Sequence, residues 1–505
     1  MPLISNHSIS WYLKASRMKK IFKLDKPNRI IILVGFGMIG SIASAQNLQL
    51  NDMSLKSELD WLRSQGVVQI STSTWPLTAN EINRALESAN IRTPEQQQIV
   101  QSIRYTLNKQ PKSLVNTTVS AYAQTDRRQL PQSFADDKLA NFEASARAGI
   151  SEQDWEFNLQ ANVKVDDIDD NDVSFDGSYV AGKYANQWLI AGQIPTWWGP
   201  GHDGSLIRGD ASKPVIGATM QRDTQAAPTS QYLSWIGPWQ YQLFAGQLDD
   251  YKAVPDTKLI GMRLTASPTD WLEVGASRTF MWGGDGRPES LSSLWDAIKG
   301  TKDNGGTGNP DPANQLGGFD ARVNLAPLVN APVSVYGQYI GEDEAGGLPA
   351  KNMYLAGADF ASSLNTTNMG TMPYQLYTEW TDTRTSGDVR GISYSHTNYT
   401  DGYYQYGYPL GYALGGDTES IAVGGKLWLD NQNFINAKVQ HAKVNQSGRA
   451  TNYAFPESDK LTILDVAWEH QLNPKTTISS RAWVSDSDIH STDVGGGIGV
   501  EFANF

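Results

Sequence analysis

The sequence predicts an all-β transmembrane barrel of about 18 antiparallel strands, with a small N-terminal periplasmic α-helical unit. Three observations carry this expectation. Apolar and polar residues alternate in stretches that recur to the end of the chain, the body of the chain has no long apolar run, and the N-terminus reads as a leader.

Trp155–Val165 shows the alternation most clearly. Trp155, Phe157, Leu159, Ala161, Val163 and Val165 fall on one parity, and Glu156, Asn158, Gln160, Asn162 and Lys164 on the other. A period of two puts all apolar side chains on one face of a strand. About ten such residues at a time, between polar Gly-rich turns, fit strands with one face to lipid and the other to a lumen. A helical membrane protein would instead need apolar runs of about 18 residues.

The 505-residue chain carries a formal charge of −12 and no cysteine. Disulfides, thiolate metal sites and cysteine nucleophiles are thereby excluded. Acidity argues against nucleic acid as a partner.

Residues 1–45 read as a signal peptide cleaved after Ala45. Lys19, Lys20, Lys23, Lys26 and Arg29 precede the apolar run Ile30–Ile42, and Ala43-Ser44-Ala45 is an A-x-A site. Met18 opens a more typical leader than Met1. The leader holds seven basic residues and one acidic one, so its removal makes the chain more acidic still.

Residues 46–112 change period. Leu55, Leu59 and Leu62 lie on one helical face, with Gly66 as a stop. Thr78 and Glu81 make a capping box before Ile82, Ala85, Leu86 and Ala89. Thr93 and Gln96 repeat it, with Pro94 at the first helical position, leading into Ile99, Val100, Ile103 and Leu107. Such a unit is too small to stand alone and is expected to pack against the barrel mouth.

The barrel is assigned to residues 113–505. Phe142–Ile150, Trp239–Ala245, Phe319–Leu325, Tyr374–Trp380, Ile421–Leu429, Leu464–Trp468 and Ile478–Val484 all alternate. At about 22 residues per strand and connection, the span gives the strand number above. Val494–Phe505 reads as the closing strand, with Ile498, Val500 and Phe502 on one parity and an aromatic end suited to recognition by barrel-insertion machinery. Gly283–Gly318, Ile340–Lys351 and Gln446–Lys460 read as polar loops on the extracellular side. Within the first of them, Leu291–Ile298 has the pattern of a short helix.

Two clusters stand out as candidate sites. In Pro195–Arg208 (PTWWGPGHDGSLIR), Trp197 and Trp198 suit stacking on sugars, with His202, Asp203 and Arg208 as polar partners. The alternative is a structural plug, because Gly-Pro clusters mostly set backbone geometry. In Tyr394–Tyr412, the Gly-spaced Tyr403, Tyr404, Tyr406 and Tyr408 offer flat amphipathic surfaces to carbohydrate, or else form an interfacial girdle. The His-Asp-Gly-Ser run is not read as catalytic, since triads assemble in space rather than in runs. The carboxylates of Asp166–Asp172 lack EF-hand spacing and read as a solvated turn. With no phosphate loop, zinc spacing or dinucleotide fingerprint, no cofactor or metal is expected.

The segments LKSELDWLRSQGVVQI, STWPLTANEI, WWGPGHDGSLIR and YYQYGYPLGYALGGDTES together resemble the Wzi family of capsule-assembly outer-membrane proteins, from about Leu55 to the C-terminus. The resemblance implies an 18-stranded barrel with periplasmic helices at one mouth and an occluded lumen. It also implies a lectin-like role in holding capsular or exopolysaccharide at the cell surface and helping capsule assembly. A monomer surrounded by outer-membrane lipid and lipopolysaccharide is expected. The alternative from the residues alone is a porin or saccharide channel, since Glu143, Arg147, Glu156 and Lys164 on the lumen parity suit either a water-filled or a plugged interior.

Overall fold

A computed structural model describes residues 47–108, 115–125, 131–136, 138–166, 172–299, 313–345, 348–367, 370–385 and 391–504. The leader and its cleavage site, most of the carboxylate run and Phe505 lie outside the described residues.

Eighteen antiparallel strands close into a barrel among the described residues. In chain order they begin β1 (Asn116–Gln124), β2 (Phe142–Ser151), β3 (Trp155–Val165), β4 (Tyr179–Tyr184), β5 (Gln187–Gly192) and β6 (Ile216–Arg222). Next come β7 (Trp239–Gln247), β8 (Lys258–Ala266), β9 (Leu272–Trp282), β10 (Ala313–Asn324), β11 (Val333–Ala345) and β12 (Leu348–Thr366). The last six are β13 (Gly370–Asp382), β14 (Glu419–Trp428), β15 (Asn433–Val444), β16 (Asp459–Asn473), β17 (Thr476–Ser487) and β18 (Asp493–Ala503). A detached piece, Val173–Ser174, continues β4 along β3. β18 pairs with β1 and seals the wall.

The alternation works as expected, and in the sense opposite to a soluble protein. Along β3, Phe157, Leu159, Val163 and Val165 are exposed, while Glu156, Asn158, Asn162 and Lys164 are buried. The outward apolar face suits lipid and the inward polar face suits a lumen. On β18, Val494, Ile498 and Phe502 face outward in the same way. One end of the barrel carries mostly short connections, and Tyr184, Tyr232 and Trp235 are exposed on one side of it, where interfacial aromatics suit the edge of a membrane. The other end carries the long connections.

Two of the expected loops are corrected. Ile340–Lys351 is not a loop: β11 and β12 stay paired as far as Ala345 and Leu348. Ladder hydrogen bonds sustain a hairpin beyond the lipid band, where no apolar alternation is needed to mark it. Gly283–Gly318 is likewise shorter than expected, because β10 already begins at Ala313.

The helical unit forms as its caps dictate. α1 (Met53–Ser64) starts at Asp52, whose side chain accepts from Leu55 N. α2 (Ala79–Glu87) starts at Thr78, whose hydroxyl accepts from Glu81 N at 3.1 Å. The Glu81 carboxylate does not cap in return; it holds Arg84 and the backbone N–H of Gln225. α3 (Pro94–Asn108) has the full reciprocal box, with Gln96 N donating to Thr93 Oγ1 and Thr93 N donating to Gln96 Oε1. None of the described helices is long and apolar enough to cross a membrane.

These helices pack into the short-turn end of the lumen. Trp61 Nε1 donates to the carbonyls of Ser362 and Tyr374, Ser64 Oγ to Asp359, and Asn324 to the carbonyl of Arg63. Leu55, Leu59, Leu62, Ile82, Ile99 and Ile103 form their shared core.

Within α1, burial pushes the Glu58 carboxyl up to about 8, against the opposing hydrogen bond from Ser102. A carboxyl that ionises near 4.5 when unfolded keeps its proton longer when folded. Stability therefore falls as pH rises through the window from about 4.5 to about 8. Glu58→Gln is expected to flatten this fall and to unfold at higher temperature than wild type above pH 8. The heat-modified gel band, followed against temperature and pH, measures it; parallel wild-type and variant profiles would contradict the assignment.

Candidate functional site

The lumen is filled by three tiers of the chain's own residues. The lowest is the helical unit. The middle tier is the 193–215 connection, and the upper tier is the 391–418 connection folded down onto it.

The middle tier is the Trp-Trp-Gly-Pro segment. Trp197 and Trp198 pair with Trp75 and Thr74 of the helical unit, and Gly199 N donates to the carbonyl of Ser73 at 2.9 Å. Phe134 stands edge-on between Trp75 and Trp197. Gly199 has φ 156, and a side chain there would press on Gln338, which clamps the turn. That Gln338 amide accepts from Leu206 N and donates to the carbonyl of Trp198.

His202 and Asp203 anchor the plug to the wall through hydrogen bonds to charged wall residues. His202 Nε2 lies 3.2 Å from Asp359, and its Nδ1 lies 3.2 Å from Lys426 Nζ. Asp203 accepts from Lys438 and Gln440, both at 2.7 Å. Glu379 accepts the backbone N–H groups of His202 and Gly204 at 2.8 Å and the hydroxyl of Tyr336 at 3.0 Å. Arg263 grips Asp320 with two bonds, and Arg322 pairs with Asp359. Buried charges persist when paired and hydrogen-bonded, as Asp203 is with Lys438, Asp320 with Arg263 and Asp359 with Arg322.

The upper tier seals the plug from the other side. Tyr394 donates to the carbonyl of Leu206, Tyr403 to that of Ile207, and Gly209 N to that of Leu410. Arg208 lies buried over the Phe244 ring, 4.8 Å from its centre.

Trp197, Trp198, His202, Asp203, Arg208, Tyr403 and Tyr404 are therefore brought together, but all are buried. A polymer arriving from outside does not reach them, and the plug alternative describes their placement. Nor do they form a hydrolytic arrangement: the Ser205 hydroxyl donates to the carbonyl of Trp198, while His202 is bound to Asp359 and Lys426. The lumen-parity charges are also held by the chain, two by ion pairs and two by neutral partners, with Arg147 donating to the Thr118 hydroxyl. Glu143 binds Lys138 at 2.7 Å, Lys164 binds Asp176 at 3.0 Å, and Glu156 takes the N–H groups of Asn47 and Leu48.

Tyr406 and Tyr408 are placed differently. They flank Gly407 at the tip of a hairpin in which Tyr404–Gln405 pairs with Tyr408–Pro409. Tyr406 and Gly407 have φ 55 and 77, as a two-residue type I′ turn demands. Both tyrosines are half-buried at the long-loop mouth. The Tyr406 hydroxyl donates to Asp249 at 2.5 Å, and Lys213 Nζ stands 5.4 Å from its ring centre.

Tyr453, which sequence reasoning missed, extends this mouth. It stacks edge-on against Tyr404 and donates to the carbonyl of Thr400. An aromatic residue inside an otherwise polar loop was the available signal. Asp401 ties the hairpin to the neighbouring turn by accepting the N–H groups of Lys252 and Ala253. Lys252 in that turn is an exposed cation 3.7 Å from Asp250, and Arg449 is exposed on the connection that carries Tyr453.

Fold and mouth together define a membrane-type β-barrel closed by its own chain, with its ordered aromatic surface at the long-loop end. The family model for the capsule assembly protein Wzi matches residues 110–496. A Klebsiella pneumoniae protein described as an uncharacterized 55.8 kDa protein in the cps region is 41% identical over 477 residues, covering 94% of this chain and 93% of that one. The solved structure of Wzi from Escherichia coli, described as an outer membrane protein involved in group 1 capsule assembly and a carbohydrate-binding β-barrel, matches with a TM-score of 0.83 and 39% identity. That match covers 90% of this chain and 99% of the solved one. The chain belongs to the Wzi family of capsule assembly proteins.

Proposed function

We propose that this protein is an outer-membrane lectin-like barrel that holds capsular polysaccharide at the cell surface and assists capsule assembly and attachment. The observation that carries this reading is the ordered aromatic mouth of Tyr406, Tyr408 and Tyr453 above a lumen filled by the chain itself. Rings held by hydrogen bonds at one edge present flat faces at low entropic cost, and Lys252 and Arg449 suit an acidic polymer. The related Escherichia coli barrel, described as carbohydrate-binding, supports the reading. In this arrangement the short-turn end and its helices face the periplasm, residues 1–45 serve as a cleaved leader, and the barrel acts as a monomer without catalysis.

Binding of purified capsular polysaccharide to the refolded protein tests this. Replacing Tyr406, Tyr408 and Tyr453 together with alanine is expected to weaken binding about tenfold, equivalent to about 1.4 kcal/mol, with an unchanged heat-modified band. Unaltered affinity would move the site away from this mouth.

A further inference from the structure

A fourth helix, α4 (Leu291–Lys299), does not enter the lumen. Leu294, Ala297 and Ile298 pack on Ile260, Met262, Phe280 and Ala313. Those wall residues share the parity of Leu264, Val274 and Phe319, which are exposed on the outer face. α4 therefore lies against the outside of the barrel, over β8, β9 and β10.

The wall is built to receive it. Trp282 Nε1 donates to Ser293 Oγ near the start of the helix. At its end, Arg278 Nη1 donates to the carbonyl of Ile298 at 2.9 Å and also binds Gln315. Arg278 and Gln315 occupy outward positions where the rest of the wall is apolar. A bare cation there would be costly in lipid; the helix C-terminus supplies carbonyls and a favourable dipole.

Two apolar surfaces remain beside this joint. Leu291 is 86% exposed and Trp295 56%, with Lys299 Nζ 5.1 Å from the Trp295 ring centre. Below Arg278 runs a groove of about 610 Å³, walled on the outside by Tyr241, Leu264, Gly317 and Phe319. Its walls are continuous with the lipid-facing band.

We propose that α4 and this groove form a lipid seat in the outer leaflet. Leu291 and Trp295 enter the boundary between headgroups and acyl chains, and an acyl chain of an outer-leaflet lipid lies along the groove. Three features favour lipid: continuity with the lipid-facing wall, a largely apolar groove, and a Trp–Lys pair of the kind that anchors interfacial helices. Lys299 supplies a cation for an acidic headgroup.

The absence of cysteine makes site-directed spin labelling clean. Labels at Trp295→Cys and Gly317→Cys are examined in vesicles of phosphatidylethanolamine, phosphatidylglycerol and rough lipopolysaccharide. Gly317 accepts a side chain, since an added Cβ lies 3.6 Å from its nearest neighbour. Val423→Cys on the lipid face and Tyr453→Cys at the mouth serve as references, and the heat-modified band confirms folding. Should Gly317→Cys fail to fold, Trp295→Cys and the exposed Leu291→Cys carry the test. The expected result is several-fold more collision with oxygen than with a water-soluble nickel chelate, as at Val423→Cys. Nickel contact equal to that at Tyr453→Cys would mean an aqueous groove and overturn the proposal. So would spin–spin broadening that disappears on dilution with unlabelled protein, which would assign the face to a second copy. Aqueous behaviour at Val423→Cys itself would instead defeat the membrane reading of the whole barrel.

Discussion

Replacing Arg322 with methionine is expected to lower stability by about 3–5 kcal/mol, the cost of breaking a buried ion pair from one side. Arg322 and Asp359 are both buried, and the carboxylate would keep only Ser64 and His202 as side-chain partners. The effect reaches beyond the pair. Ser64 belongs to α1 and His202 to the plug, so Asp359 joins two tiers to the wall. The midpoint of guanidinium unfolding measures the loss. Replacing Arg322 and Asp359 together with apolar residues is expected to recover part of it, because the carboxylate is then not left unpaired, while Ser64 and His202 still lose their acceptor. A single-variant loss below about 1 kcal/mol would show that the pair does not hold the tiers.

The second large effect separates stability from closure. Planar bilayers containing the wild-type protein are expected to show no stepped current. Trp198→Ala should cost about 3–5 kcal/mol, as truncation of a fully buried aromatic does. Trp198 donates to Gln242 and packs against the bare backbone of Gly261. The variant should still conduct nothing, because the helices below and the tyrosine connection above remain. Stepped wild-type current blocked by polysaccharide would replace the lectin reading with a saccharide channel.

Much of this architecture is legible in the residues because its signals are local. Period two marks β3 and β18, and Thr78, Thr93 and Pro94 mark the helix starts within a residue or so. The Leu291–Ile298 pattern gives α4 as a helix, but nothing in it says that the helix lies outside the wall. The candidate site is legible only in part. Lys426 and Lys438, the wall partners of His202 and Asp203, lie more than two hundred positions away in the chain. Residue type alone does not say whether Trp197 or Tyr403 faces a sugar or a neighbouring turn. Tyr406 and Tyr408 differ from Tyr403 and Tyr404 only through a hairpin tip, set by Gly407.

The seam between β1 and β18 sets an order of events in biogenesis. Until Asp493–Ala503 has been made, β1 has no partner on that side and no enclosed interior exists. Glu156 cannot settle around the N–H groups of Asn47 and Leu48, nor Lys438 around Asp203, in a half-made cylinder that leaves them open to solvent or lipid. Synthesis and maturation are thus uncoupled. The wall and the residues it encloses are therefore completed together, once the last strand is in place.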